Sequence, residues 1–213
     1  MKEPVEIITQ IHDSVRHGLP GREAHYRLSP ALKEKYYQPR ADHRKAGVLF
    51  LLYPKNGLWH TCYIKRSSRD ERDKHAGQIG LPGGKLEAND LDLAFTSLRE
   101  TEEEIGVNRK DIQLVTPLTT LYVFASNFMV YPHVGIIDYT PDFIKQEEEV
   151  DEIVEISLQY LVHEMNTSVI DLKLRDLTLK SVPYYDLTGH VLWGATSMIT
   201  SEFLTIMENV QFK

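Results

Sequence analysis

Residues 83–107 read GGKLEANDLDLAFTSLRETEEEIGV, a glycine turn that leads into an acidic stretch of helical character. Within it Glu100, Glu103 and Glu104 are spaced i, i+3 and i+4, which places three carboxylates on one face of a helix. Such carboxylates repel one another unless a cation lies between them. Mg²⁺ and Mn²⁺ prefer oxygen ligands and commonly bind together with substrate phosphates. The stretch therefore predicts metal-dependent phosphate chemistry.

The glycines before this stretch distinguish it from an ordinary solvated helix. Glutamate is a good helix former, so an acidic helix face alone is weak evidence for a site. Leu81-Pro82-Gly83-Gly84 comes directly before it. Gly83 and Gly84 allow the backbone to turn tightly and to approach a ligand without a Cβ in the way. We therefore expect both glycines to lie against the substrate.

The stretch resembles the Nudix box, G-x5-E-x7-R-E-U-x-E-E-x-G-U, in which U is an apolar residue. The matching positions are Gly84, Arg99, Glu100, Glu103, Glu104, Gly106 and Val107. Two features depart from the pattern. Asp90 stands where the first glutamate is expected, and eight residues instead of seven separate it from Arg99. Thr101 occupies a position that is usually apolar.

A second motif brings the resemblance closer to the coenzyme A pyrophosphatases. In that branch a stretch of the form R-S-S-x6-H-x-G-Q-I-x-x-P-G-G precedes the box, and an aspartate stands at the position of Asp90. The chain carries Arg66-Ser67-Ser68, then His75-Ala76-Gly77-Gln78-Ile79, then Pro82-Gly83-Gly84. Later landmarks of the same branch lie at 127–132, 149–153 and 192–196. The resemblance covers roughly residues 46–205.

Hydrophobic periodicity predicts an α/β fold. It indicates strands near 46–53, 61–66, 112–124, 128–138, 151–155 and 178–186, and helices near 91–105, 157–164 and 195–209. Strands mixed with helices imply a layered domain. The family resemblance adds an α/β/α sandwich with a mixed β-sheet. We expect the buried side of the helix near 91–105 to consist of Leu91, Leu93, Ala94, Leu98 and Ile105.

The chain divides into an N-terminal helical arm, residues 1–44, and a Nudix hydrolase domain, residues 45–213. Ile7, Ile8, Ile11 and Val15 recur at helical spacing. Ser29-Pro30 and Gln38-Pro39 bracket a second short helix. We expect the arm to pack against the domain or against a second subunit of a homodimer, with substrate binding as the alternative.

Composition excludes several classes of protein. The formal charge of −7 over 213 residues argues against a nucleic-acid-binding protein. Cys62 is the one cysteine, so no intrachain disulfide forms. No run approaches 18 apolar residues, and the polar start MKEPVEIITQ lacks a signal-peptide pattern. We expect a soluble, cytoplasmic protein without a membrane or nucleic-acid partner.

The resemblance implies a role for each acidic residue of the box. Glu100 and Glu104 are the expected ligands of Mg²⁺ or Mn²⁺, with Glu103 completing the acidic face and the Gly84 carbonyl oxygen adding a ligand. Arg99 orients these carboxylates. A bound metal ion activates water and neutralises charge on the diphosphate. The expected reaction is hydrolysis of a P–O–P bond by water.

Two roles stay open in the sequence. Glu103 is the first choice as general base, but Nudix enzymes also use bases from loops, and the acidic segment with Glu147, Glu148, Glu149 and Glu152 offers alternatives. Charge runs of this kind are usually solvated loops. Asp90 either orders the loop before the helix or caps the helix.

The substrate is suggested by a basic segment before the box. Residues 65–75 read KRSSRDERDKH, with five Lys/Arg and three Asp/Glu and thus a local charge of +2. This cationic loop, particularly Arg66, is a candidate to hold the 3′-phosphate of coenzyme A, with Lys65 as a further substrate-binding candidate, although a solvated loop has the same composition. His75 is expected to order the loop, with a catalytic role as the alternative.

Three functions follow from these features. The first is a coenzyme A diphosphatase that releases 3′,5′-ADP and a phosphopantetheine product. The second is a pyrophosphatase for another nucleoside diphosphate derivative, such as ADP-ribose or a dinucleotide. The third is a non-catalytic Nudix-like ligand-binding module, against which the intact set Arg99, Glu100, Glu103 and Glu104 argues.

Overall fold

A computed structural model describes residues 2–29, 38–69, 75–163, 165–174, 177–208 and 210–211. The helices in these residues are α1 (Pro4–Val15), α2 (Arg22–Tyr26), α3 (Leu93–Ile105), α4 (Leu158–His163) and α5 (Gly194–Met207). The strands are β1 (Arg44–Lys55), β2 (Leu58–Arg66), β3 (Ile79–Gly80), β4 (Gly83–Lys85), β5 (Gln113–Pro117), β6 (Leu121–Val123), β7 (Phe128–Ile136), β8 (Val150–Ser157), β9 (Thr167–Leu174), β10 (Leu177–Leu187) and β11 (His190–Trp193). No helix in these ranges is long and apolar enough to cross a membrane.

The main sheet is mixed, as the sequence predicts. Its centre is β1, which pairs in parallel with β7 and antiparallel with β2 and β4. β7 pairs antiparallel with β5 and β6, and β2 pairs antiparallel with β3 and β8. The hairpin between β1 and β2 turns at Asn56 and Gly57, with φ values of 51° and 76°, as expected for a two-residue turn of this sequence.

Helices cover both faces of this sheet, which confirms the predicted α/β/α sandwich. Alternate residues of a strand point to opposite faces. Phe50 of β1 packs with the helices on one face, where its ring stacks on Phe203 of α5 at 3.9 Å between centroids. Leu49 and Leu51 of β1 pack on the other face in a separate core with Ile105 of α3.

Helix α3 begins and ends where its sequence provides caps. The Asp92 side chain accepts a hydrogen bond from the Phe95 amide at 2.7 Å, and Gly106 ends the helix with a φ of 75°. The helix lies close to β1 at Gly47, where an added Cβ would collide with the backbone of Leu93 and Ser97. This close approach fixes the height of α3 over the sheet.

The buried face of α3 differs from the prediction. Leu91 lies before the helix and is 86% exposed, and Leu93 and Ala94 are partly exposed. Leu98 is partly buried and packs against the same core as Ile105, as predicted. Besides Ile105, the buried residues are Thr96, Ser97, Thr101 and Glu104. Small side chains are needed because the helix lies so close to Gly47. Thr101 fits there because its hydroxyl donates to the Ser97 carbonyl oxygen at 2.7 Å.

The N-terminal residues share the core of the domain. Ile7 and Ile11 of α1 are fully buried in the same cluster as Phe203. The Glu202 carboxylate of α5, also fully buried, accepts hydrogen bonds from the Gly21 amide, the His25 ring and Thr119. The predicted helix between Ser29-Pro30 and Gln38-Pro39 falls largely outside the described residues. The division into arm and domain stays a prediction.

Five elements were not predicted from the sequence, namely helix α2 and strands β3, β4, β9 and β11. Strands β9, β10 and β11 form a second, three-stranded sheet. The predicted strand over 112–124 is two strands, β5 and β6. The Leu118 amide still donates to the Pro132 carbonyl of β7, but the next amide, that of Thr119, donates to the Glu202 carboxylate at 3.0 Å, which interrupts the pairing. The remaining predicted elements are present with end shifts of a few residues.

Candidate active site

A cavity of about 470 Å³ opens between β4, the end of β2, β3, and helices α3 and α5. Its lining changes character from one part to the other. One part carries the acidic residues of α3 with Arg66, Arg99 and Glu149, and the other is mainly apolar, with Ser126 and Thr196 among its lining residues. A polar part beside an apolar wall is the usual construction of a small-molecule site.

Glu104 is the most buried carboxylate in this cavity, with 1% exposure. Its Oε2 accepts a hydrogen bond from the Gly83 amide at 2.8 Å. Burial raises the pKa of Glu104 to about 8, against the lowering effect of the Gly83 amide and of Arg66, and the charges of Glu100 and Glu149 raise it further. A cation placed beside this group would stabilise its ionised form.

Glu100 lies against the glycine turn. A Cβ added at Gly84 would collide with the Glu100 carboxylate, and a Cβ at Gly83 would collide with the backbone of Gly47 and Val48. Gly83 also has a φ of 152°, which side chains rarely adopt. Burial raises the pKa of Glu100, although Arg99 acts in the opposite direction. The two glycines thus bring the backbone beside the two carboxylates.

Arg99 joins the acidic residues of the box. Its Nε and Nη2 donate to the two Asp90 carboxylate oxygens at 2.8 and 3.0 Å. Its Nη1 donates to Glu103 at 2.8 Å, and its Nη2 lies 2.9 Å from Glu100 Oε1. The Lys85 carbonyl oxygen accepts a further hydrogen bond. Arg99 therefore holds the turn and the helix together.

Asp90 has a structural role that the sequence left open. It does not cap α3, since Asp92 does. Its carboxylate accepts from Arg99, from the Glu87 amide and from the Thr96 hydroxyl. The hydrogen bonds from Arg99 keep the pKa of Asp90 far below its ordinary value, so it is ionised throughout the physiological range. Asp90 orders the loop and anchors Arg99.

The acidic loop contributes one side chain to the cavity. Of Glu147, Glu148, Glu149 and Glu152, Glu149 is the one that lines it. Glu147 pairs with Lys145, and Glu152 lies 3.5 Å from the ring of His190. Glu103 lines the same cavity, with a side chain that is 55% exposed. Two candidate bases therefore face the site, Glu103 from α3 and Glu149 from the loop.

The two basic residues Lys65 and Arg66, which precede the box, line different cavities. Arg66 lines the cavity, and its Nη1 lies 4.0 Å from Glu104 Oε1. Lys65 alternates to the opposite face of β2 and lines a second cavity. His75 is 3.0 Å from the Gln78 side-chain oxygen, in keeping with loop ordering, and also lines the first cavity. Residues 70–74, with the other predicted basic side chains Arg72 and Lys74, lie outside the described residues.

The apolar wall was not assigned to the site from sequence. It consists of Val123 of β6, Phe128 and Val130 of β7, and Ala195 and Ile199 of α5. Phe128 is covered on its outer face by the Arg44 guanidinium, 4.1 Å from the ring centroid. The landmarks at 127–132 and 192–196 contain three of these residues, but a spacing pattern does not show that two distant segments form one wall.

The acidic residues fit a hard divalent cation that shares its ligands with a substrate. Within the described ranges, no three His, Cys, Asp or Glu side chains form a complete cage for a metal ion. Mg²⁺ usually binds through one or two carboxylates together with waters and substrate phosphates. Glu100 and Glu104 supply such a pair, and the raised pKa of each reflects buried carboxylates that a cation would stabilise.

Comparison with known proteins agrees with this geometry. The sequence profile of the NUDIX domain matches residues 42–172. The mitochondrial coenzyme A diphosphatase NUDT8 of Mus musculus is 31% identical over 76% of this chain and 77% of that protein. The peroxisomal coenzyme A diphosphatase NUDT7 of Mus musculus is 32% identical over 56% of the chain, which spans 49%, about half, of that relative. The Nudix hydrolase NudL of Pectobacterium atrosepticum is 35% identical over 62% of the chain and 64% of that protein.

Proposed function

This chain belongs to the Nudix family and resembles its coenzyme A diphosphatase branch, and we propose that it hydrolyses the diphosphate bond of coenzyme A or of an acyl-CoA. The products would be 3′,5′-ADP and phosphopantetheine or its acyl derivative. Mg²⁺ or Mn²⁺ is the proposed metal ion. The general activity, hydrolysis of a diphosphate by a Nudix enzyme, is the premise of this proposal.

The observation that carries the proposal is the division of the cavity into an acidic part and an apolar wall. A diphosphate with its metal ion suits Glu100 and Glu104, whereas Val123, Phe128 and Ile199 offer no hydrogen bonds and suit an uncharged chain. Coenzyme A has such a chain, pantetheine, on one side of its diphosphate. ADP-ribose and dinucleotides place a polar sugar there, which an apolar wall would desolvate without compensation.

Each residue of the acidic part has a proposed task. Glu100 and Glu104 would hold the metal ion, with Glu103 and the Gly84 carbonyl oxygen beside them. The ion would supply charge neutralisation on the diphosphate and would make water a better nucleophile. Arg66, 4.0 Å from Glu104, is placed to bind a diphosphate oxygen. Arg99 positions Glu100 and Glu103 rather than contacting the substrate.

The general base is proposed to be Glu103 or Glu149. Glu103 accepts a hydrogen bond from Arg99, which occupies one of its carboxylate oxygens, but it lies on the same helix as the proposed metal ligands. Glu149 is exposed and faces Glu100 and Glu104 from the loop. Replacing each by glutamine separates the two, because loss of the base lowers turnover typically 10²- to 10⁴-fold.

A substrate panel tests the proposed function. Coenzyme A, dephospho-CoA, ADP-ribose and a diadenosine polyphosphate would be incubated with Mg²⁺ and with Mn²⁺, and the products identified by mass. We expect coenzyme A to give 3′,5′-ADP and phosphopantetheine with the highest kcat/KM. Faster cleavage of ADP-ribose or of the dinucleotide would instead support the second function, and no hydrolysis of any compound would support the non-catalytic one.

Two further properties stay predictions. A cytoplasmic location is expected, although the two mouse relatives are mitochondrial and peroxisomal proteins; cell fractionation tests it. A homodimer also stays a prediction, which sedimentation equilibrium tests; the apolar stripe of α1 does not supply its interface, since Ile7, Ile8 and Ile11 are buried in the core of this chain.

A further inference from the structure

A second cavity of about 320 Å³ lies on the other side of the segment that forms one rim of the first. It is bounded by β2 and residues 76–79 on one side and by the second sheet on the other. Its lining includes Lys65, Gln78, Leu172, His190, Val191 and Trp193. Its volume is near the lower limit of typical ligand pockets.

The two cavities are neighbours across a thin wall. Gln78 and Ile79 line both of them. The wall is fixed to β2, since the Arg66 amide donates to the Gln78 carbonyl and the Gly77 amide donates to the Arg66 carbonyl, both at 3.0 Å. Because consecutive strand residues point to opposite faces, Arg66 enters the first cavity and Lys65 the second. A long ligand that crosses the rim at Gln78 would meet one cation in each.

Three side chains give the second cavity its chemistry. Lys65 and Trp193 are partly exposed, and among the described residues the Lys65 ammonium has no carboxylate partner. Trp193 likewise has no ring or cation stacked on it within those residues, and its indole N–H has no acceptor there. The Nε2 atom of His190 lies 3.5 Å from Oε1 of Glu152. An aromatic face beside an unpaired ammonium suits a flat, heteroaromatic ligand that carries an anionic group.

We propose that this second cavity binds the adenosine 3′-phosphate end of the substrate, with the adenine ring on Trp193 and the 3′-phosphate on Lys65. This inference rests on the proposed function, since it takes coenzyme A as the substrate. The diphosphate then lies in the first cavity beside Arg66, and the pantetheine chain lies on the apolar wall. Lys65 and Trp193 determine specificity and do not touch the bond that breaks.

Tryptophan fluorescence tests binding without turnover. The chain has two tryptophans, and Trp59 is buried with 1% exposure. Titration with 3′,5′-ADP should quench the emission of Trp193, and Trp193→Phe should remove that quenching while binding, followed by calorimetry, persists because phenylalanine still stacks. Trp193→Leu should weaken binding roughly five- to 150-fold, the range for one base–aromatic stack.

Lys65→Met provides an independent variant on a partly exposed side chain. Loss of a charge-assisted hydrogen bond should weaken the binding of 3′,5′-ADP roughly ten- to 150-fold. The affinity for AMP, which lacks the 3′-phosphate, should stay nearly unchanged. Lys173→Met is the matched control, because Lys173 is exposed on β9 and does not line the cavity. Equal weakening of both nucleotides by Lys65→Met would overturn the 3′-phosphate assignment.

Kinetics separates this inference from the proposed function. For coenzyme A, both Trp193→Leu and Lys65→Met should raise KM with little change in kcat, because these contacts are the same in the ground and transition states. If the wild type cleaves coenzyme A but neither variant changes KM or nucleotide binding, the second cavity is not the adenosine site and the proposed function stands. If the wild type does not cleave coenzyme A yet Trp193 and Lys65 bind 3′,5′-ADP as described, the proposed function fails and the binding site stands.

Discussion

Arg99 connects the glycine turn to α3 through hydrogen bonds. Its side chain is 12% exposed. Its strongest partner is Asp90, whose side chain is 1% exposed. The Nudix pattern has a glutamate near this position. The shorter aspartate, one residue further from Arg99, reaches the guanidinium with both oxygens at normal hydrogen-bond distances. The departure from the pattern is therefore compatible with an intact site.

Asp90→Asn should destabilise the protein and reduce activity, because asparagine cannot pair both guanidinium nitrogens and leaves Arg99 without its anchor. Loss of a charge-assisted hydrogen bond at a buried position costs about 1.5–3 kcal/mol of unfolding free energy. Urea denaturation of wild type and Asp90→Asn measures this loss of unfolding free energy. Asp92→Asn is the matched control, since asparagine is an equally good N-cap. Equal destabilisation by both changes would contradict the role of Asp90 as the anchor.

The raised pKa of Glu104 predicts a pH-dependent stability. The folded protein holds the Glu104 proton up to about pH 8, whereas the unfolded chain releases it near 4.5. Between these values the folded state binds more protons, so this group makes stability fall as pH rises. In EDTA, Glu104→Gln should therefore melt above wild type at pH 8 by at least about 2–4 °C, the shift that about 1 kcal/mol produces at this chain length.

The same comparison at pH 5 provides the control for this shift, because pH 5 is close to the unfolded pKa of 4.5 and the difference in melting temperature should be much smaller than at pH 8. Glu102→Gln, on the same helix and outside the cavity, should show the wild-type pH dependence. If the Glu104→Gln protein loses stability with rising pH as steeply as wild type, the claim that burial raises the pKa of Glu104 in the metal-free protein is contradicted.

The glycine turn and helix α3 act as one unit, and two adjacent glycines have separable roles in it. An alanine at Gly83 would meet rigid backbone at a φ of 152° and should destabilise the fold by about 1–3 kcal/mol. An alanine at Gly84 would meet only the end of the Glu100 side chain. That side chain can rotate away, so Gly84→Ala should abolish most activity with little loss of stability.

Thermal melting and diphosphatase assays on the two variants separate these effects. Gly80→Ala is a suitable control, because Gly80 also lines the cavity and nothing lies within 4 Å of an added Cβ. Wild-type turnover in Gly84→Ala would show that Glu100 does not need its position beside the turn.

The elements and the acidic site could be predicted where local sequence determines them. Periodicity identified α1, α3, α5 and the central strands, and spacing identified Glu100 and Glu104. The buried face of α3 was mispredicted because Leu91 and Leu93 suggest an apolar stripe, whereas the close approach to Gly47 admits Thr96 and Thr101. β9 was missed because Thr167, Ser168 and Val169 are exposed and show no buried alternation.

Over the whole molecule, the parts that escaped prediction depend on contacts between distant segments. The link between the N-terminal residues and α5 joins His25 to Glu202, whose Nε2 and Oε2 atoms lie 3.0 Å apart. Burial alone would raise the pKa of Glu202, but hydrogen bonds from His25 and Thr119 lower it. The apolar wall likewise combines β6, β7 and α5. Spacing patterns describe residues close together in the sequence, so contacts between these distant segments could not be predicted from it.

The measurement that tests the central claim most directly is the turnover of coenzyme A by Glu100→Gln and Glu104→Gln, with products identified by mass. Each change should lower kcat by a factor on the order of 10² or more, equal to about 2.7 kcal/mol of barrier. Glu102→Gln, whose side chain pairs with Arg109 outside the cavity, should keep wild-type turnover. Wild-type turnover in a folded Glu100→Gln or Glu104→Gln protein would contradict the proposed metal site.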